Sequence, residues 1–180
     1  MTSEADFTHR ETLRNGLAVT IRSLKPDDRE RVAAAIRALD APSVYTRFFS
    51  HRTLTEAGLD RIMSVDPEHE VALLATILKG DEEIVVGSCR AVGSAGQRGP
   101  RTAEIAFVVE EDYHGLGIAS RLLGQLARIA KERGFSAFEA DVLTENKAML
   151  NVFAKSGLPM RKRYEGGTVH VTLALDASSP

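Results

Sequence analysis

At 180 residues the chain is the size of one domain, and 43% hydrophobic against 27% charged residues is an ordinary balance that fills a globular core. A net charge of −2 supplies no basic field to hold nucleic acid, and no apolar run reaches membrane-spanning length. The single cysteine, Cys89, excludes an internal disulfide and a cysteine metal cluster and fits a reducing, cytoplasmic setting, and residues 1–10 lack the apolar stretch of a signal peptide.

Residues 1–12 are expected to be a flexible segment, 13–176 the folded domain and 177–180 a tail. Asn15-Gly16 offers the positive φ angles of a two-residue hairpin turn, and Val19 and Ile21 alternate with polar neighbours in the strand that follows, ending near Ser23. Pro26 with Asp27-Asp28 opens a helix, the acids meeting the positive end of its dipole, with Val32, Ala35, Ile36 and Leu39 as its buried stripe until Pro42. A connector over 43–49 carries Tyr45, Phe48 and Phe49, and Thr55 caps a helix containing Leu59, Ile62 and Met63. Two β-branched runs, 71–78 and 84–92, flank Gly80-Asp81 as an antiparallel pair. After a glycine-rich loop at 93–101 comes a strand at 103–109, a turn at 113–117, and a helix at 118–133 with Leu122, Leu123, Leu126 and Ile129 on one face. A strand at 137–142, a helix at 146–155 and a hairpin around Gly166-Gly167 complete a mixed α/β sheet with helices on both faces.

The sharpest local pattern is strand, Gly115-Leu116-Gly117-Ile118-Ala119, helix. Glycines let the backbone approach a ligand, and the helix start adds unpaired N–H donors and a positive dipole end, so a pyrophosphate is the natural guest. A plain tight strand-to-helix turn would use the same residues. The Walker sequence is absent, and the turn follows a mid-chain strand rather than opening a dinucleotide-binding βαβ unit.

With these residues in view, the stretch His114-Gly115-Leu116-Gly117-Ile118-Ala119 resembles the Gln/Arg-x-x-Gly-x-Gly/Ala motif of the GNAT acetyltransferase superfamily, with His114 departing from the Gln/Arg position. The resemblance runs over about 17–175 and implies a single-domain, mostly antiparallel twisted sheet flanked by helices on both faces. It implies acetyl-CoA as cosubstrate, its pyrophosphate on the N–H groups of Gly115, Leu116, Gly117, Ile118, Ala119 and Ser120, with His114 beside them. It also implies that the strand Phe107-Val108-Val109 splays and pairs with the pantetheine arm like an added strand. A second match, 142–149 followed by Phe153 and Ser156-Gly157-Leu158, resembles the superfamily's strand–Glu-Asn–helix segment. It places Asn146 on the cofactor arm, with Met149 and Phe153 nearby; Asn146 is equally a helix N-cap. Many relatives carry a tyrosine at the position of Phe153 to protonate the leaving thiolate. Phenylalanine has no proton to give and reads as a core aromatic.

An attacking amine must first lose a proton. Glu104 lies on the strand entering the glycine turn, among apolar neighbours whose partial burial of it would raise its basicity. By pattern alone it reads as an edge-strand carboxylate facing water. The segment 103–109 with its glycine turn resembles the bacterial protein-lysine acetyltransferases, in which this glutamate is the general base. The resemblance extends to the connector at 43–49 and implies that Tyr45 through Phe49 line the acceptor side; packing onto the core is the alternative. Glu110, Glu111 and Asp112 read as a solvated loop. Cys89 reads as a buried thiol rather than an acyl-carrying nucleophile, and the five histidines show no metal spacing, so no metal is expected. The expectation is direct acetyl transfer in a ternary complex to a protein lysine, by a monomer or homodimer that binds neither nucleic acid nor membrane. A small-molecule amine acceptor and a non-catalytic acyl-CoA sensor are the alternatives.

Overall fold

The computed structural model describes residues 7–39, 55–94 and 98–176. Eight strands form one sheet in the order β1-β2-β3-β4-β5-β6-β8-β7. They are β1 (Thr8–Thr12), β2 (Ala18–Ser23), β3 (Glu70–Lys79), β4 (Glu82–Gly93), β5 (Arg101–Val109), β6 (Phe135–Leu143), β7 (Met160–Glu165) and β8 (Thr168–Ala174). Every neighbouring pair is antiparallel except β5 and β6. The helices are α1 (Arg29–Arg37), α2 (Glu56–Met63), α3 (Ile118–Glu132) and α4 (Lys147–Ala154).

Side chains alternate across a strand, so the sheet offers an apolar row to each layer of helices. Leu73, Cys89, Ala103, Ile105 and Phe138 face α3, whose Ile118, Leu122, Leu123, Leu126 and Ile129 fill the larger core. Leu74 and Val85 face the other way and meet Val32 and Ala33 of α1 and Leu59 of α2. The α1 stripe is thus centred on Val32 and Ala33, with Ala35 and Ile36 only partly buried. Thr55 caps α2 as expected, its Oγ1 accepting from the Gly58 N–H at 3.0 Å. No helix among the described residues is long and apolar enough to cross a membrane.

The N-terminal region differs from its reading in the sequence. Thr8–Thr12 is not a loose segment but a strand paired along β2, from Thr8 opposite Arg22 to Thr12 opposite Ala18. Its residues, Thr-His-Arg-Glu-Thr, include no apolar side chain, so hydrophobic alternation could not reveal it. Backbone pairing holds it, with Phe7 packed on the core. The turn is also longer than two residues. Leu13 N–H donates to Leu17 C=O and Gly16 N–H to Leu13 C=O, with Gly16 at φ +86°, so the turn over Leu13–Gly16 closes on a left-handed glycine. Arg14 sits in that loop.

Asp28 does not simply cap α1. It is 1% exposed and clasped by Arg22, whose Nη2 and Nη1 donate to its two oxygens at 2.7 and 2.8 Å, while Lys25 N–H donates at 2.8 Å. Burial pushes its pKa up, but the Arg22 and Lys25 hydrogen bonds and the Arg22 and Arg31 charges outweigh that and hold it below the ordinary Asp range.

Candidate active site

β5 and β6 run side by side only from Arg101 to Glu104, where Glu104 lies opposite Glu139. Beyond Glu104, β5 continues to Val109 bound only to β4. Glu110 N–H donates to Val86 C=O on the β4 side at 2.9 Å. Backbone groups alternate along a strand, so the polar groups of Phe107 and Val109 turn the other way, toward the side β6 has left. The parting opens a cleft of about 370 Å³ whose lining includes Glu104 and Phe107 from β5, Asp141 from β6, and Asn146, Met149 and Phe153 at α4. The splay expected of Phe107-Val108-Val109 is present in this geometry.

The glycine turn stands at the end of β5. A 3-10 turn over Glu111–Tyr113 leads to His114, whose ring Nε2 lies 2.7 Å from Val109 C=O. That contact makes Nε2–H the donor and ties the turn back to the strand. Gly117 is the α3 N-cap at φ +90°, and the first helical bond runs from Arg121 N–H to Gly117 C=O at 3.2 Å. The N–H groups of Ile118, Ala119 and Ser120 therefore have no partner inside the helix. The Ile118 side chain is buried in the core at 2% exposure, so only its backbone is available to a ligand. Gly115 and Leu116 complete the turn, with Leu116 packed against the core.

Two guanidinium groups reach this turn, and neither was singled out in the sequence. Arg121 Nη1 donates to Gly117 C=O at 3.0 Å, and Nη2 donates to Thr12 C=O at 3.1 Å. Its Nε pairs with Glu11 Oε2 at 2.7 Å. Arg121 lies four residues after Gly117, which a helix places on the same side, and that spacing was the available signal. A Cβ built on Gly117 would fall 2.3 Å from Arg121 Nη1 and 3.8 Å from Arg14 Nε.

Asn146 is the N-cap that the sequence offers, and it also faces the cleft. Its Oδ1 accepts from Met149 N–H at 3.2 Å as the α4 N-cap, and the residue lines the cleft. Phe153 is 1% exposed and packs edge-on against Phe107, with centroids 6.0 Å apart. It is a core aromatic that floors the cleft.

Glu104 is exposed, as its pattern alone reads, and is not partly buried in the way that would raise its basicity. Ala103 and Ile105 on either side turn into the core, and alternation sends Glu104 to the opposite face. Among the described residues it makes no ion pair. On the same face Glu139 and Asp141 follow along β6, and His170 of β8 joins them, with Nδ1 2.8 Å from Asp141 Oδ1 and Nε2 3.7 Å from Glu139 Oε1. Cys89 is 2% exposed beneath α3, with Sγ 4.0 Å from Leu122 C=O, which places its thiol in the core. Among the described residues no group of three or more His, Cys, Asp or Glu is arranged to hold a metal ion. Tyr45, Phe48 and Phe49 lie outside the described residues.

The arrangement fits a long anionic thioester. Unpaired N–H donors stand at one end, a strand edge runs along the middle, and a carboxylate waits where the strands part. Known proteins agree with this. The family model described as "Acetyltransferase (GNAT) family" matches residues 35–158. An acetyltransferase of Pseudomonas aeruginosa is 30% identical over 150 residues, 82% of this chain and 78% of that protein. The acetyltransferase Pat of Mycolicibacterium smegmatis is 33% identical over 146 residues, 81% of this chain but only 42% of that protein. The crystal structure of the GNAT domain of S. lividans PAT superposes with a TM-score of 0.79 at 30% identity, covering 93% of this chain and 96% of that one.

Proposed function

This chain belongs to the GNAT acetyltransferase family and is an acetyl-CoA-dependent N-acetyltransferase, and we propose that its acceptor is the ε-amine of a protein lysine with Glu104 as the general base. The observation that carries this is the parting of β5 from β6 at Glu104, which sets a carboxylate at the mouth of the cleft. The likeness to Pat and to the GNAT domain of S. lividans PAT supports a protein acceptor. The exposure of Glu104, with the carboxylates of Glu139 and Asp141 on the same face, favours a cationic side chain arriving from outside over a small amine enclosed in a pocket.

In this reading the N–H groups of Gly115 to Ser120 hold the cofactor's pyrophosphate, and the polar edge of Phe107 to Val109 aligns its arm. Val109 C=O is already taken by His114, so on the cleft side Val109 offers its N–H. Asn146 keeps its amide N–H groups for the arm while its oxygen caps α4. Met149 and Phe153 give the cleft an apolar floor. Glu104 takes the proton of the incoming ammonium directly or through water, and the neutral amine attacks the thioester carbonyl. Phe153 supplies no proton, so the sulfur leaves as thiolate and is protonated by solvent.

The test is incubation with acetyl-CoA, candidate proteins and a panel of small amines, read by mass spectrometry. Acetyl-lysine in the proteins at rates above those of the small amines supports the reading. Acetylation of small amines alone transfers it to that class. Tight acetyl-CoA binding with no product in either panel makes the chain a sensor.

A further inference from the structure

The phosphate turn lacks a cation of its own. The stretch from His114 to Ala119 contains no lysine or arginine, and His114 turns its Nε2–H onto Val109 C=O. Arg121 is close, but it is spent on the protein: Nη1 donates to Gly117 C=O, Nη2 donates to Thr12 C=O, and its charge is paired with Glu11, whose Oε2 lies 2.7 Å from Nε without an aligned hydrogen bond. It braces the turn and fastens β1 to it. A bound pyrophosphate carries two full negative charges, whereas the start of α3 offers N–H groups and about half a unit of positive charge. A full cation at the turn would make the difference.

Arg14 is in place to supply it. It sits in the loop joining β1 to β2, which the left-handed Gly16 and the Arg121–Thr12 bond hold against the start of α3. Its side chain is exposed, and among the described residues it has no hydrogen bond or ion pair. Its Nε lies 3.8 Å from where a Cβ would stand on Gly117, the glycine that precedes the unpaired N–H groups of Ile118, Ala119 and Ser120. A guanidinium with its donors unspent, at a turn of outward N–H groups, is suited to a charge-assisted bond with phosphate.

We propose that Arg14 is a side-chain ligand of the cofactor's phosphates, which makes the N-terminal hairpin part of the cofactor site. The proposal rests on the reading that the Gly117 turn holds the pyrophosphate of acetyl-CoA. Nothing in the glycine motif itself points to this residue, since the two are about a hundred positions apart and are joined only by the fold.

The experiment is calorimetric titration of the full chain and its R14Q variant with acetyl-CoA, with its 3′-dephospho analogue and with phosphate-free acetyl-pantetheine. R14Q should bind acetyl-CoA roughly tenfold more weakly, with a shallower salt dependence. R14K should recover part of the affinity. In steady-state assays the loss should appear as a raised KM for acetyl-CoA. Equal weakening toward both nucleotides places Arg14 on the pyrophosphate, and weakening toward acetyl-CoA alone places it on the 3′-phosphate. R10Q removes the same charge from the same hairpin and should bind like the wild type. The proposal is overturned if R14Q binds both nucleotides like the wild type, if acetyl-pantetheine binding falls equally, or if R10Q weakens binding as much. A wild-type chain that binds acetyl-pantetheine as tightly as acetyl-CoA would instead remove the phosphate reading of the turn, and this inference with it.

Discussion

Asp28 and Glu104 are both carboxylates beside the sheet, and their surroundings give them opposite capacities. Asp28 is 1% exposed and held by two nitrogens of Arg22, the Lys25 N–H and, at 3.4 Å, Arg31. Its charge is locked in. Glu104 is exposed and among the described residues has no cation paired with it. A carboxylate gripped by arginines cannot exchange a proton in each turnover, whereas one left unpaired beside a cleft can. Surface position and lack of a partner, ordinarily marks of an idle group, are here what the proposed chemistry needs.

The largest effect should come from removing basicity at the unpaired site. Glu104→Gln keeps the side chain's shape, so acetyl-CoA affinity by titration and the melting temperature should hold. Turnover should fall by roughly 10²–10⁴-fold. The loss should shrink at alkaline pH, where more of the amine is already neutral. Wild-type turnover in Glu104→Gln across the pH range would give the proton to another group or to water.

Asp28→Asn should do the reverse. It strands the Arg22 guanidinium, whose side chain is only 11% exposed, and removing one partner of such a pair costs about 3 kcal/mol. Urea unfolding should record that loss, while kcat at a temperature where the variant is folded should match the wild type. A variant as stable as the wild type would show that Glu83, 2.8 Å from Arg22 Nε, is partner enough.

How far this contrast was legible in the sequence depends on how local each cause is. Glu104 stood out only through the resemblance of its strand and glycine turn to the lysine acetyltransferases, while the helical stripe of Leu122, Leu123, Leu126 and Ile129 was legible from spacing alone. Asp28 read as a helix-start acid because Pro26 stands beside it, yet the group that governs it is Arg22, on the strand before the turn. The hairpin at Asn15-Gly16 implied a strand before it, but the extent of β1 over Thr8–Thr12 escaped notice because no apolar residue marks it. The bonds from Arg121 to Thr12 and from His170 to Asp141 join residues far apart in the chain, and no periodicity announces them. Glu104 is exposed because its apolar neighbours turn to the other face of the strand.

A smaller effect should test whether the cofactor turn is independent of both carboxylates. In Gly117→Ala the new Cβ stands 2.3 Å from Arg121 Nη1, at a φ of +90° that L-residues avoid. The cost should be about 1–2 kcal/mol, with weaker acetyl-CoA binding as Arg121 shifts. Calorimetry should show the affinity loss, and kcat at saturating acetyl-CoA should stay within about twofold. A large fall in kcat at saturation would mean that the turn also sets the geometry at Glu104.

The smallest effect lies in the acid dependence of stability, and it tests the Asp28 clasp without kinetics. Asp28 has its folded pKa depressed below the ordinary 3.8. The unfolded chain therefore takes up the proton first as pH falls, and the stability linked to Asp28 is full above that value and is lost as pH drops through the folded pKa. Glu83 behaves similarly, its carboxyl lowered from 4.5 chiefly by the hydrogen bond from Arg22 and partly restored by burial. It remains in the Asp28→Asn variant, so it steepens the acid limb of both proteins. The wild type's advantage over Asp28→Asn should thus be constant from neutral pH to about pH 5 and should narrow toward about pH 3. Urea unfolding of the two proteins at each pH gives the comparison. A gap between wild type and Asp28→Asn that stays constant into acid would mean that the asparagine is destabilising through packing, and that the Arg22 clasp does not hold the Asp28 charge in place.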